Sequence, residues 1–286
     1  MSKVHEKVCV VTGAGSGIGR ELALELARRG AAAVAISDVD DEGLAETARR
    51  LAEQAPSAVV HQQHLDVADR QAFIAYAETV AGEFGRVHQI YNNAGIASGK
   101  TVREASFEVY DKVIAINLFG VIHGTKVFLP HLIASGDGHV TNISSLNGYM
   151  AQDELSAYCT TKFGVRGFTE TLRIEMLRDR LPVKVTVVHP GGVKTNIASA
   201  GLKHAEELGY EVSEHERRRV QAYNDKLLRM PPAQAARIII DGVEHDKPRV
   251  LVGNDAKLVD LIVRAFPVGY TKVTLGLNRL AKMAAR

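Results

Sequence analysis

The sequence predicts an α/β fold: a doubly wound parallel sheet in one domain, helices on both faces, a helical lid late in the chain and a C-terminal amphipathic tail. Three observations predict it. Short apolar runs bounded by turn residues alternate with longer stretches of helical period. A glycine-rich turn follows the first apolar run directly and opens a helical stretch. The 286 residues, 46% hydrophobic and 24% charged, suffice to bury one large core.

Val8 to Thr12 reads as the first strand and Gly19 to Arg29 as the helix behind it; Ala33 to Ser37 and Glu42 to Gln54 form the next pair, then Ala58 to Leu65 and Arg70 to Phe84. The alternation continues through strand Val87 to Tyr91, helix Phe107 to Leu132, strand Gly138 to Ser144, helix Ser156 to Arg178 and strand Val183 to His189. Continuous apolar strands separated by helices imply βαβ units with right-handed crossovers. From Thr195 to Met230 the strand signal gives way to a polar helical stretch, the expected lid. Pro231-Pro232 then opens a helix, since proline suits a first helical turn, and Arg249 to Val252 is a last short strand. Residues 1–255 are thus expected to form the main domain and 256–286 a helical extension.

Thirty-five basic residues against 33 acidic ones leave a formal charge of +2, spread along the chain, which argues against a nucleic-acid partner. Cys9 and Cys159 fall in an expected strand and helix, as buried thiols of a reducing compartment would, and give no sign of a disulfide or metal site. Met1 to Lys7 is polar, and no run of eighteen apolar residues occurs, so the expected location is cytoplasmic.

The turn Thr12-Gly13-Ala14-Gly15-Ser16-Gly17-Ile18-Gly19 fits T-G-x-x-x-G-x-G, with Ile18 breaking the alternative G-x-G-x-x-G register. Its glycines let backbone approach a pyrophosphate, and the helix start offers unpaired N–H groups to phosphate oxygens. Asp38 ends the second strand nineteen residues after Gly19, near the offset of an acid that binds an adenosine ribose; the alternative is a helix cap. A carboxylate there repels a 2′-phosphate, and neighbouring Ser16 and Val39 are uncharged, which favours NAD over NADP. Asp66, followed by Val67, either caps the next helix or accepts from an adenine amino group.

Tyr158 and Lys162 stand four apart, about one helical turn, so they share a face on which the cation can pull the phenol below its usual pKa of about 10. The chain here resembles the classical short-chain dehydrogenase/reductase family over roughly residues 6 to 255. The motifs, in order, are Thr12 to Gly19, Asp66, Asn92-Asn93-Ala94-Gly95, Asn117, Asn142-Ile143-Ser144-Ser145, Tyr158 with Lys162, and Pro190-Gly191-Gly192-Val193-Lys194-Thr195. Tyr91 in place of an aliphatic residue, and the Cys159-Thr160-Thr161 filler, are small departures. The resemblance implies a Rossmann fold and an oxidoreductase with Tyr158 as acid/base and Lys162 also on the nicotinamide ribose. By the family's thirteen-residue spacing it selects Ser145 over Ser144 to hold the substrate oxygen. It implies that Asn117 holds a water linking Lys162 to solvent; a helix-kinking core amide is the alternative, since a buried amide must be paired.

Asn92 to Gly95, at the end of the fourth strand, would line the ribose through Asn93, Ala94 and Gly95, and a structural turn explains the segment as well. Pro190 and Gly191 would shape the nicotinamide pocket, with Val193 offering backbone atoms and Thr195 a hydroxyl. His61 and His64, three apart in a strand, face opposite ways and cannot share a metal; His189 reads as a packing residue. Leu146, Asn147, Met150, Asp153 and the lid after Thr195 are expected to line the substrate pocket; apolar Leu146 and Met150, with Ile197 and Leu202 of the lid, suggest a lipophilic secondary alcohol or ketone, and the same residues equally suit packing of the lid on the core.

The helices Phe107 to Leu132 and Ser156 to Arg178 are apolar on more than one face, and the family implies a homo-oligomer, dimer or tetramer. In the tail, Leu258, Leu261, Ile262 and Ala265 share a face, followed by Leu275, Leu280 and Met283 near Lys272, Arg279, Lys282 and Arg286. Such a helix suits an anionic membrane surface, while covering a neighbouring subunit or the substrate mouth is the commoner use. A non-catalytic NAD-binding regulator or scaffold on this fold is the competing function. It would need only the glycine turn and Asp38, so the full set of Ser145, Tyr158, Lys162 and Asn117 argues for turnover.

Overall fold

The chain alternates strand and helix from β1 (Val8–Thr12), α1 (Gly17–Arg28), β2 (Ala33–Asp38), α2 (Asp41–Gln54), β3 (Val59–His64), α3 (Arg70–Phe84) and β4 (Gln89–Asn92) onward. It continues through α4 (Phe107–Ile114), α5 (Gly120–Ser135), β5 (Gly138–Ile143), α6 (Ser156–Arg178), β6 (Val183–Pro190), α7 (Ile197–Glu207), α8 (Pro232–Glu244), β7 (Arg249–Val252) and α9 (Asn254–Ala265). This computed structural model describes residues 2–97, 99–207, 210, 212–214, 217–218, 220–221, 228–272 and 274–276. A third of the expected lid and the tail residues Arg279, Leu280, Lys282, Met283 and Arg286 lie outside the described residues.

All seven strands pair in parallel in the order β3-β2-β1-β4-β5-β6-β7. The order reverses between β1 and β4, and the crevice beyond their carboxyl ends is where ligands bind in open α/β sheets. Because successive side chains in a strand point to opposite faces, β1 feeds two cores at once. Cys9 and Val11 join the side covered by α1 and α8, with Leu22, Leu26, Ile36 and Ile239. Val8 and Val10 join the side covered by α3, α5 and α6, with Phe73, Tyr76, Phe128 and Leu172. Phe73, Tyr76 and Phe128 meet edge to face at centroid distances of 6.0 to 6.5 Å.

The caps decide against the alternative reading of Asp38 as a helix cap. Asp40, whose carboxylate accepts from Gly43 N at 3.1 Å, caps α2, so Asp38 is not the cap. Asp69 caps α3 by accepting from Gln71 N and Ala72 N, while Asp66 takes only Ala68 N at 2.9 Å. The expected helix Phe107 to Leu132 is continuous in space but passes through one π turn, Ala115–Phe119, between α4 and α5. Phe107–Ser135 spans 29 residues and contains an 18-residue stretch of mean hydropathy 1.5, long and apolar enough to cross a bilayer by those measures. Here it lies on the sheet, with Phe128 and Leu132 fully buried among β4 and β5 residues.

Candidate active site

At the nucleotide end, the glycine turn and the segment after β4 are locked together. Thr12 Oγ1 accepts from Asn93 N at 3.1 Å and Ala94 N at 3.2 Å. Asn93 Nδ2 donates back to the carbonyls of Thr12 (3.0 Å) and Gly13 (3.1 Å). Gly13 sits at φ +66, and a Cβ there would come within 2.7 Å of Ala94 Cα; a Cβ on Gly19 would collide with the Gly13 carbonyl. A side chain at either position would collide with neighbouring backbone, so the turn requires glycine at both. Ser16 is the N-cap residue of α1, yet its side chain makes no capping bond, leaving the helix's first N–H groups to an external anion. The expected Asn93 contact to a ribose is therefore not one its side-chain N–H groups make here, since both are committed to the turn. Asn92, buried, binds Asn142 Oδ1 at 2.8 Å and Thr125 Oγ1 at 3.1 Å and is structural.

Asp38 lies beside this groove, Oδ2 accepting from Gly15 N at 2.7 Å and Oδ1 from Asp40 N at 3.1 Å. Each oxygen keeps a lone pair for a further donor. The nearby cation Arg20 is turned to the protein: Nε donates to Thr47 Oγ1 at 2.9 Å, and Nη2 to the carbonyls of Gly43 and Gly15. Val67 is buried under Gly120, where a Cβ would meet Val67 Cγ2 at 2.7 Å.

Tyr158 occupies the first turn of α6 and Lys162 the next, with Lys162 Nζ 5.5 Å from the centre of the Tyr158 ring. Lys162 is 3% exposed, and its Nζ donates to the Ile143 carbonyl at 3.0 Å. Among the described residues no carboxylate pairs with it, so burial alone pulls its pKa down to about 8. Asn117 sits in the π turn, its amide clasping Ile96 through N–H and C=O at 2.8 Å each. That clasp satisfies the buried amide, which a plain core residue would otherwise leave at a cost. A Cβ placed on Gly95 would stand 3.2 Å from Asn117 Oδ1 and 3.5 Å from Lys162 Nζ, so glycine there lets the backbone come up to both.

The two serines after β5 have separate tasks. Ser144 Oγ donates to the Lys162 carbonyl at 2.8 Å, a structural bond. Ser145 Oγ accepts from Asn147 N at 3.2 Å, and no acceptor among the described residues takes its hydroxyl hydrogen. Asn147 itself is buried and holds the loop, donating to Met150 O (3.2 Å) and Gln152 Oε1 (3.3 Å). Leu146, Met150, Ile197 and Leu202 are half-buried, and Asp153 is exposed.

After β6, Thr195 stands against the glycine turn, 3.2 Å from where a Gly17 Cβ would be. The Pro190-to-Thr195 loop is tied to the end of the lid: Arg229 N and Met230 N donate to Gly192 O at 3.1 Å, and Lys194 N to Met230 O at 2.8 Å. It is also gripped by α9, whose Asp255 Oδ2 accepts from Gly192 N at 2.6 Å. Any side chain at Gly191 would run into the Asp255 carboxylate.

His189 is more than packing. Its Nδ1–H donates to the Ser145 carbonyl at 2.7 Å, and its ring meets Tyr149 edge to face at 5.0 Å. Tyr149 in turn donates its hydroxyl to Ala256 O at 2.6 Å, under the Arg249 guanidinium 5.2 Å away. Burial pushes His189 down to about 4, keeping it neutral. The sequence reading missed Tyr149 and Asp255, and also Tyr210, whose hydroxyl accepts from Ser106 N at 2.9 Å while its ring packs with Ile96 and Tyr110 on α4. None of the three belongs to a local motif; only the fold brings them to the site. His61 pairs with Glu83 (2.6 Å) and His64 with Asp41 (2.9 Å), each going its own way.

The parallel sheet with its glycine turn at the reversal of strand order, and the Tyr158 and Lys162 pair on α6, agree with what comparison with known proteins finds. The sequence model of the short chain dehydrogenase family matches residues 7–206. "Putative oxidoreductase SadH" of Mycobacterium tuberculosis is 48% identical over 273 residues, covering 96% of this chain and 95% of that protein. "Epidermal retinol dehydrogenase 2" of Homo sapiens is 35% identical over 195 residues, 68% of this chain and 62% of that protein. A short-chain dehydrogenase/reductase from Burkholderia phymatum, solved in complex with NAD, superposes with a TM-score of 0.83 at 26% identity, covering 96% of this chain and 97% of that one. An alcohol dehydrogenase from Thermococcus sibiricus complexed with 5-hydroxy-NADP superposes at TM-score 0.70 and 26% identity, covering 86% and 94%. The chain belongs to the short-chain dehydrogenase/reductase family and is an oxidoreductase with the family's Rossmann-like fold.

Proposed function

We propose that this protein is an NAD-dependent oxidoreductase that transfers a hydride between a lipophilic secondary alcohol or ketone and nicotinamide, with Tyr158 as acid/base. The single observation that carries this is the buried Lys162 ammonium, unpaired with any described carboxylate and set 5.5 Å from the Tyr158 ring. A cation kept there at the cost of desolvation favours the phenolate over the phenol.

A bound dinucleotide supplies the carbon that accepts or returns the hydride. The groove for it is built by Gly13, Ser16, Gly17, Ile18 and Gly19 at the pyrophosphate, by Asp38, Asp66, Val67, Asn93, Ala94 and Gly95 at the adenosine, and by Pro190, Gly191, Val193 and Thr195 at the nicotinamide. In oxidation Tyr158 removes the substrate hydroxyl proton and in reduction returns it, while the Ser145 hydroxyl donates to the same oxygen and fixes it. Lys162 holds the negative phenolate in place and reaches the cofactor ribose. Asn117, clasped to Ile96 behind Lys162, keeps the π turn open for a relay water.

NAD is favoured because Asp38 faces the adenosine end, and Arg20, the cation nearest the turn, is bound to Thr47, Gly15 and Gly43. The family's fold takes either dinucleotide, as the neighbours solved with NAD and with 5-hydroxy-NADP illustrate, so the carboxylate is the discriminating group. Half-buried Leu146, Met150, Ile197 and Leu202, and the retinol in one relative's name, support an apolar substrate. Exposed Phe107 and Phe119, on the run from α4 into the π turn, support a homo-oligomer, dimer or tetramer, and a cytoplasmic setting suits the free buried thiols of Cys9 and Cys159.

The test is Tyr158→Phe, assayed by NAD reduction over a panel of steroids, terpenoid alcohols, acyclic secondary alcohols and diols, with NADH binding followed by fluorescence. Turnover is expected to vanish while binding stays within about twofold, because only the acid/base hydroxyl is lost. A variant with near-full activity would remove Tyr158 from the reaction.

A further inference from the structure

The C-terminal extension carries an outward apolar stripe edged with cations. Leu258, Leu261, Phe266 and Val268 are 59, 65, 62 and 82% exposed. Leu258, Leu261 and Ala265 fall on one face of α9 at helical spacing, with Lys257 and Arg264 along its edge. The opposite face is already occupied: Ala256 is buried and holds the Tyr149 hydroxyl, and Asp260 binds Arg249 at 2.7 Å and Arg264 at 2.9 Å.

Beside that edge opens a cleft of about 340 Å³ lined by Arg166, Arg173, Arg249, Arg264 and Glu170. Its acids are matched, Glu170 to Arg166 at 2.9 Å and Asp260 to two arginines. Arg173 has no ion-pair partner among the described residues, and Arg249 Nε is buried without a hydrogen-bond acceptor. The charge is segregated as well: residues 256–286 hold six basic side chains and one acid, Asp260, in a chain whose total is only +2. The rest of the protein is therefore net negative, and the positive charge sits on the apolar extension.

We propose that α9 and residues 266–272 form a docking surface for an anionic lipid bilayer, with Leu258, Leu261, Phe266 and Val268 entering the headgroup boundary and the arginine cleft receiving lipid phosphate. Apolar side chains flanked by cations are what interfacial helices present, and each arginine near an anionic surface adds to the attraction. A second copy applied by a twofold axis would set this basic edge against itself. Tyr270, just beyond α9, accepts from Ala151 N at 3.2 Å, so the bilayer would lie near the loop that follows Ser145. Leu261, Val268 and Arg173 contact neither the groove nor the Ser, Tyr and Lys cluster, so the inference stands apart from the proposed reaction.

Sedimentation of the full-length protein with phosphatidylcholine vesicles, with and without about a third phosphatidylglycerol, tests it. The protein is expected to sediment with the anionic vesicles only and to be released by high salt. Arg173→Gln is expected to weaken partitioning about fivefold, and Leu261→Glu with Val268→Glu by more than about tenfold. NADH binding and the lipid-free sedimentation coefficient should be unchanged in both variants. Equal behaviour on neutral and anionic vesicles, or undiminished binding by the Leu261→Glu/Val268→Glu protein, would overturn the proposal. A smaller lipid-free assembly in that double variant would also overturn it and assign the face to a second copy.

Discussion

Replacing Lys162 by Met keeps the length and apolar stem of the side chain and removes only its charge. The structure sets the size of the effect. With Nζ 5.5 Å from the Tyr158 ring centre, and an effective dielectric of about 20, a unit charge stabilises the phenolate by about 3 kcal/mol, or about two pH units. In the wild type the ammonium is mostly intact at neutral pH, since burial brings Lys162 to about 8. The variant should therefore show an acidic limb of log(kcat/KM) for alcohol oxidation moved up by about two units, with an approximately 100-fold loss at pH 7 that is recovered as pH rises. The assay is the pH-rate profile under NAD saturation. If the rate falls uniformly and the limb stays within half a unit of its wild-type place, the lysine acts only by holding cofactor, and the electrostatic account is wrong.

Asp38→Ser should raise the NADPH-to-NADH affinity ratio by about tenfold or more in fluorescence titration, because the charge facing a 2′-phosphate is gone; an unchanged ratio would place cofactor choice elsewhere. Gly13→Ala puts a Cβ at φ +66 within 2.7 Å of Ala94 Cα and should cost about 1–3 kcal/mol in urea unfolding while weakening NADH binding. Burial pushes His139 and His189 down to about 4, so between their unfolded value and pH 4 the unfolded chain binds the extra protons. Stability should thus be full above about pH 6.5 and fall as pH drops, by about 2 kcal/mol per histidine at pH 5. His189→Asn should remove about half of that acid dependence in denaturation at pH 7 and pH 5; a slope unaltered by the substitution would mean that other groups carry it.

The strands were legible because a parallel sheet covered on both faces demands continuous apolar runs, and β1, α3, α6 and β7 begin and end where periodicity places them. Tyr158 and Lys162 were legible because a helix converts four residues into one face. What the sequence hid are contacts between distant segments. Nothing in Tyr149 or Asp255 marks them locally, yet one meets His189 and Ala256 and the other holds Gly192. The acid pairs Asp38/Asp40 and Asp66/Asp69 each offer two plausible caps, and only the backbone path after the strand decides which carboxylate meets a free N–H. At Asn117 a break in the helix was one of the readings the sequence offered, while the π form of that break and the clasp on Ile96, twenty-one positions away, were not visible in it.

The grip of Asp255 on Gly192 gives the site a history as well as a shape. During synthesis the glycine turn is made among the first twenty residues, but the bond that fixes the opposite rim must wait for residue 255, and the Tyr149 hydroxyl waits for residue 256. A nascent chain therefore holds its glycine turn, Tyr158 and Lys162 long before the loop from Pro190 to Thr195 is fixed. The two ends of one groove mature at opposite ends of translation.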